Sequence, residues 1–361
     1  MRYQKTGLVH IDRERATPGY TLFCPMHHRV ACLLDIDGNI VHQWNLPNWP
    51  ANYARLLPNG NLLTAHRLMD NKLPFNGIGG RIIEMNWEGQ VVWEYVDPMQ
   101  HHDFHRCANG NTIYLAWEKM PAALAKRVKG GRPGSELNGE TWCEYIREVS
   151  PKGETVWEWH VDNLEIERYP ICPICPRAAF AHGNSVYSLP NGDVMVSFRH
   201  NHLIFVIDHS SQKVKWEMCD PMLGHQHDFH VIPNGNYMVF ANGAHAFGPG
   251  TVPGGAGGSR VLEIEPASRK IVWEYFARPG YLFSSPYISG AERLPTGNTL
   301  ICEGSWGNIF EVTAGREIVW EYINPFVVPL SATSDIAGSH QVFRAYRYGA
   351  DSLEIRGRVR A

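Results

Sequence analysis

The sequence predicts an all-β protein, a six-bladed β-propeller of four-stranded blades, and three observations lead there. A glycine turn recurs five times, as Asn59-Gly60-Asn61, Asn109-Gly110-Asn111, Asn191-Gly192-Asp193, Asn234-Gly235-Asn236 and Thr296-Gly297-Asn298, each followed by an apolar run such as NTIYLAWE or NTLICEG. A tryptophan phrase alternates with it: Trp93-Glu94-Tyr95, Trp157-Glu158-Trp159, Trp216-Glu217-Met218, Trp273-Glu274-Tyr275 and Trp320-Glu321-Tyr322, with Trp44 in a related QWNL. Between a turn and the next tryptophan there is room for two more strands, as in MVSFRH and LIFVIDHS. Repeat units of about 45–65 residues with four strands and one aromatic mark each are the blades of a propeller.

Taken in order, residues 1–18 read as an N-terminal arm. Residues 19–45 supply the strands TLFCP, RVACLLDID and NIVHQW without an inner partner, and HQVFRAYRY at 340–348 is an inner-type strand with nothing after it. The two ends are therefore expected to share one blade, a closure that removes exposed sheet edges. Five blades, with the first segment as an arm, is the lesser alternative. Two segments break the blade grammar, 122–142 (AALAKRVKGGRPGSELNGETW) and 244–260 (AHAFGPGTVPGGAGGSR). Both are rich in glycine and sit where the second and third strands should meet, so they read as lid-like insertions. A closed repeat array can use residues 1–361 as a single domain.

The formal net charge of −3 and the absence of a Lys/Arg-rich run argue against nucleic acid or an anionic membrane as partner. A small molecule is the better expectation; the oligomeric state stays open. No run of about eighteen apolar residues exists, and the N-terminal stretch lacks the apolar core of a secretory signal, so the chain is expected in the cytoplasm. The eight cysteines are scattered, unlike a disulfide framework. Most read as buried thiols; Cys172-Pro173-Ile174-Cys175 is the one pair with ligand spacing, but a zinc site needs a second pair or histidines nearby in the fold and two prolines stiffen this loop, so a metal or a disulfide there is the lesser alternative. Twelve Trp and eighteen His both exceed ordinary usage. The tryptophans belong to the scaffold and the histidines to a site.

Counting back from each turn glycine aligns the blades. Eight residues before it stand Asn52, His102, Asn184, His227 and Ser289; ten before it, His182 and His225 appear; five before it come Arg55, His105, Tyr187, His230 and Glu292. On the returning strand, six to eight residues past the glycine, come His66, Arg67, Trp117, Glu118, Arg199, Asn242 and Glu303. In a propeller the first strand lines the axis, so these polar groups are expected at one channel mouth, and His340 on the closing strand could reach it. Several imidazoles and a guanidinium withdrawn from water need a ligand to offset their desolvation. Asp103 and Asp228, with His105 or His230, read instead as hydrogen-bond clamps between strands. The Trp-Glu-Tyr glutamates read as solvated or paired with arginines of the next blade.

The stretch AHGNSVYSLPNGDVMVSFRHN followed by HQHDFHVIPNGNYMVFANG resembles the bacterial aryl-sulfate sulfotransferases. The likeness runs through all the blades, including GNTLICEG, IFEVT and EIVWEY, and is strongest over 181–243. It implies a six-bladed propeller whose axial histidine becomes transiently sulfated, flanked by two more histidines, an asparagine and an arginine. By position it implies His227 as the nucleophile, with His225 as second choice. His182 and Asn184 match the family's His-x-Asn pair, Arg199 its arginine and His102 its remaining histidine. Sulfuryl transfer suits these types: a neutral imidazole attacks, and cationic or N–H donors hold the sulfuryl oxygens. Trp117, Glu118, Asn242, Glu303 and His340 are expected to contact an aromatic substrate, with no cofactor.

A second reading keeps the scaffold and changes the chemistry. His-x-x-His occurs in two blades, so His102, His105, His182, His227 and His230 would also suit a divalent metal serving a lyase or hydrolase. A binding module is the weakest reading, because it leaves Arg199 among the histidines unexplained.

Overall fold

The computed structural model describes residues 5–70, 73–246, 258–328 and 338–359. The protein is an all-β, six-bladed β-propeller of four-stranded antiparallel blades with very little helix. Blade 1 combines Val342–Tyr348 with Tyr20–Pro25, Val30–Leu34 and Ile40–Asn45, so the C-terminal strand is the inner strand that the first three lack. Blade 2 is Pro50–Leu56, Leu62–Arg67, Gly80–Met85 and Val91–Val96; blade 3 is Gln100–Arg106, Thr112–Lys119, Trp142–Val149 and Thr155–His160. Blade 4 is Gly183–Ser188, Val194–Phe198, Leu203–Ile207 and Val214–Cys219; blade 5 is His227–Val231, Tyr237–Ala241, Arg260–Glu265 and Lys270–Tyr275. Blade 6 is Gly290–Arg293, Thr299–Glu303, Asn308–Val312 and Ile318–Ile323, and Gly7–Ile11 adds a fifth, outermost strand to it.

Contacts divide the chain into two compact units of three blades each. Unit 1 is Met1–Pro74, Gly79–Pro98 and Ser285–Ala361, holding blades 1, 2 and 6; unit 2 is Phe75–Ile78 and Met99–Ser284, holding blades 3, 4 and 5. Both use the same repeated bonds. The asparagines of the glycine turns donate to a glutamate on the third strand of their own blade: Asn59 and Asn61 to Glu84, Asn109 and Asn111 to Glu148, Asn234 and Asn236 to Glu263, and Asn298 to Glu311. The tryptophans of the outer strands donate Nε1 to a carbonyl of the next blade, Trp44 to Asn86, Trp157 to His209, Trp216 to Pro266 and Trp320 to Ile36. Repetition in the sequence is thus repetition of a turn lock and a blade-to-blade pin.

One expectation is corrected. The glutamates of the tryptophan phrase pair mostly within their own blade: Glu94 with Arg81, Glu158 with Arg147 and Glu274 with Arg260, each from the neighbouring third strand. Arg147 lies directly across from Glu158, and Arg81 and Arg260 are the diagonal neighbours of Glu94 and Glu274, all on one sheet face and within reach of a long side chain. The segment 122–142 holds a short helix, Ala122–Ala125, and a strand, Gly130–Arg132, that pairs in parallel with Ile171–Pro176. Much of 244–260 lies outside the described residues. No helix among the described residues is long and apolar enough to cross a membrane.

Candidate active site

The first strands of blades 3, 4 and 5 pack side by side within unit 2. Each begins irregularly. Pairing slips between His101 and Phe104 in blade 3, between Gly183 and Ser185 in blade 4, and between His227 and His230 in blade 5. At these places His102 (φ 48°), His182 (φ 51°), His225 (φ 68°) and Asp228 (φ 56°) adopt left-handed backbone, which strains a residue bearing a Cβ. Bulges of this kind turn a side chain away from the regular pleat. Close packing fixes the first of them: the His102 N–H donates to the Gly77 carbonyl at 2.7 Å, and a Cβ at Gly77 would fall within 2.5 Å of the His102 ring. Only glycine fits there.

The turned side chains form a continuous file of rings. Trp117 stacks on His101 at 4.1 Å between centroids, and His101 Nδ1 meets His102 Nδ1 at 2.8 Å. His102 lies 4.7 Å from His182, His182 4.9 Å from His200, His200 5.7 Å from His225, and His225 3.9 Å from His245. Burial holds His101 and His182 well below the usual imidazole range and brings His200 down to about 3. His101, His182 and His200 are therefore neutral at neutral pH, the form in which an imidazole acts as base, nucleophile or ligand.

Arg199, at the end of the second strand of blade 4, is the cation beside this file. Desolvation lowers its pKa, and the sulfurs of Cys175 and Cys172 partly restore it. Among the described residues its guanidinium makes no hydrogen bond or ion pair, and the His182 imidazole makes no hydrogen bond. Both keep some accessible surface although protein encloses them. Beneath His182, the fully buried Glu144 accepts the Gly183 N–H at 2.6 Å, and burial pushes its carboxyl up to about 8, so it is protonated at neutral pH. Its Oε2 has no partner among the described residues.

The other expected residues fall in several places. His227 is buried and its Nδ1 lies 2.7 Å from Asn242 Oδ1, joining the first two strands of blade 5. Asn184 donates to the Gln226 carbonyl at 2.8 Å, tying blade 4 to the entrance of that strand. His225 sits with its Nε2 3.3 Å from Cys175 Sγ. Trp117 is buried against His101 and Phe75. Glu118 is turned to His160 Nδ1 at 2.9 Å. Glu303 and His340 belong to unit 1, where Asn308 approaches Glu303 and His340 donates to the Asn324 carbonyl at 2.7 Å. His105 and His230 both flank Tyr187, and His230 donates to the Asp228 carbonyl. Asp103 accepts the Phe104 and Val186 N–H groups, clamping blade 3 to blade 4.

Of the histidines suggested for a metal, His102 and His182 stand together, while His105 and His230 lie around Tyr187. Among the described residues, the group whose ligand atoms converge is Cys172, Cys175, His225 and His245, all within 4.8 Å of one another. All eight cysteines are free thiols. His101, His200, His245 and Glu144 had not been singled out from the sequence. His101 and His200 adjoin residues that had been, in HHDFH and SFRHN, whereas nothing in the repeat register marks Glu144 or His245.

The chain belongs to the arylsulfotransferase (ASST) family, whose model matches residues 54–325. Membership supports a sulfotransferase-like function and an enzyme of the transferase class. Among solved structures it is similar in fold to a protein of unknown function from Bacteroides caccae, at 13% identity and a TM-score of 0.56, covering 92% of this chain and 99% of that one. It is likewise similar to the periplasmic gluconolactonase PpgL of Pseudomonas aeruginosa, at 11% identity and a TM-score of 0.51, covering 90% and 98%. At such identities the likeness is one of fold alone. No curated protein matches the sequence.

Proposed function

We propose that the protein transfers a sulfuryl group from an aryl sulfate to a phenolic acceptor through a sulfo-histidine at His227. The observation that carries this reading is Arg199: an enclosed cation without a counter-ion, beside imidazoles kept neutral by burial. A buried charge left unpaired by the protein is favourable only where an anionic ligand completes it. A guanidinium can hold two sulfate-ester oxygens at once.

With its Nδ1 proton donated to Asn242 Oδ1, His227 would attack through Nε2. An N–S bond forms as the S–O bond to the phenol breaks, and the departing phenolate takes a proton. In the second half the acceptor oxygen attacks sulfur, the N–S electron pair returns to the imidazole, and the acceptor proton passes to a base. His102 serves as proton donor and then acceptor, while Arg199, His182 and the Asn184 amide steady the sulfuryl oxygens. Eight reduced cysteines favour the cytoplasm as the working compartment.

The test is intact-mass analysis after incubation with an aryl sulfate and no acceptor. Wild-type protein should gain one sulfuryl group on the peptide bearing His227, and His227→Ala should not. Labelling that persists in His227→Ala would overturn the assignment. Activity lost within seconds of adding a chelator to folded protein, and regained with a divalent metal, would favour the lyase or hydrolase reading instead.

A further inference from the structure

We propose that Cys172, Cys175, His225 and His245 form a closed tetrahedral site for a zinc ion, which staples three segments of unit 2 around the turn that carries Arg199. The inference is independent of sulfuryl transfer, since it concerns residues that the transfer reaction does not use. The donor set is two thiols three positions apart in a Cys-x-x-Cys segment and two imidazoles from elsewhere in the chain, a combination of soft and borderline ligands typical of structural zinc.

The distances agree with the coordination sphere. Zinc–sulfur bonds of about 2.3 Å and zinc–nitrogen bonds of about 2.05 Å at tetrahedral angles put sulfur and nitrogen about 3.6 Å apart. Cys172 Sγ lies 3.6 Å from His245 Nδ1, Cys175 Sγ lies 3.6 Å from the same atom, and Cys175 Sγ lies 3.3 Å from His225 Nε2. Charge agrees as well. Two thiolates cancel a divalent cation, and imidazole ligates in its neutral form. Binding would displace the two thiol protons into solvent and leave a neutral centre, which tolerates burial where a lone thiolate would not. A Cys172–Cys175 disulfide is the competing fate of such a pair; the sulfurs here face the histidines and remain thiols.

The fold brings the four together for reasons that can be traced. Cys172 and Cys175 lie on Ile171–Pro176, which pairs in parallel with Gly130–Arg132 of the first insertion. The Cys172 N–H donates to the His200 carbonyl at 2.7 Å, fastening this strand to the residue beside Arg199. His225 precedes the first strand of blade 5, and His245 follows its second. Gly224 and Gly243 press together so closely that a Cβ on Gly224 would lie 2.4 Å from Gly243 Cα. That contact brings the two histidine-bearing segments within reach of one ion. With four protein ligands no coordination position is left for a substrate, so the ion organises the site and does not take part in the chemistry.

The experiment uses full-length protein without a polyhistidine tag, purified under reducing conditions without chelator. Plasma mass spectrometry should find about one zinc per chain, and cobalt exchanged into the protein should give the thiolate charge-transfer and intense d–d absorption of a tetrahedral ion. Cys172→Ser and His245→Gln should each weaken metal retention at least tenfold, while His182→Gln keeps it. His245 is only half-buried, so its variant tests the site even if the cysteine variant fails to fold. Folded, reduced wild-type protein that takes up neither zinc nor cobalt would overturn the proposal, as would uptake unchanged in both ligand variants.

Discussion

Two enclosed arginines, Arg347 in unit 1 and Arg199 in unit 2, are treated differently by the chain. Arg347 in unit 1 donates Nη1 to Glu311 Oε2 at 2.7 Å and to the Thr17 carbonyl at 2.9 Å, gives Nε to Thr21 Oγ1, and lies over the Trp320 ring. Arg199 in unit 2 has no such partner among the described residues. The carboxylates repeat the contrast. Glu311 accepts from Thr17 N–H and Oγ1, Asn298 and Arg347, whereas Glu144 accepts from the backbone and stays protonated. In unit 1 Arg347 and Glu311 thus neutralise each other, whereas in unit 2 Arg199 has no carboxylate partner among the described residues and Glu144 is held protonated by burial. Completed pairs hold a fold, and incomplete ones await a ligand.

Three substitutions sharpen the contrast. Removing the paired cation should have the largest effect: Arg347→Met strands Glu311 and should lower unfolding free energy by about 3–5 kcal/mol, read by urea denaturation, with kcat of the folded fraction unchanged. If stability stays within about 1 kcal/mol, the two arginines are equivalent and the contrast fails. Arg199→Met should lower aryl-sulfate transfer by about 10²–10³-fold while leaving Tm unchanged or higher. A fall in Tm with transfer intact would make Arg199 structural.

The third concerns Glu144. Its folded pKa of about 8 stands above the value of 4.5 expected unfolded, so between those values the folded chain holds a proton that the unfolded chain has released. Stability from this group is therefore fully present below pH 4.5 and is lost as pH rises toward 8, at up to about 1.4 kcal/mol per unit. Glu144→Gln keeps an acceptor for Gly183 and should flatten that part of the pH–stability curve. An unchanged curve would mean Glu144 is ionised in the folded protein.

The fold was legible because it is written repeatedly. Asn-Gly-Asn turns announce both a hairpin and the side chains that lock it to a glutamate, and the tryptophans announce the outer strands they pin. The unpaired strands at 19–45 and 340–348 announced their own union. The cluster of side chains was legible where it coincides with the repeat register, as in the meeting of His102, His182 and Arg199. It was illegible where register stops helping. His245 joins His225 through the approach of two glycines in irregular backbone, and no periodicity encodes that. Glu118 was expected toward a substrate and is turned to His160, because a one-residue step along a strand reverses the face. Cys172 and Cys175 had the right spacing from the start; what they lacked was knowledge of which histidines the loops deliver.

Blade 1 has an inner strand made of Val342–Tyr348, and this sets an order of events during synthesis. Unit 2 is almost one uninterrupted run, Met99–Ser284, and every strand of its three blades has left the ribosome long before that inner strand is translated. Residues 20–45 must wait, with one sheet edge bare, until residues 342–348 have emerged. The half that carries the histidines can be assembled early, and the half that carries the seam is finished last.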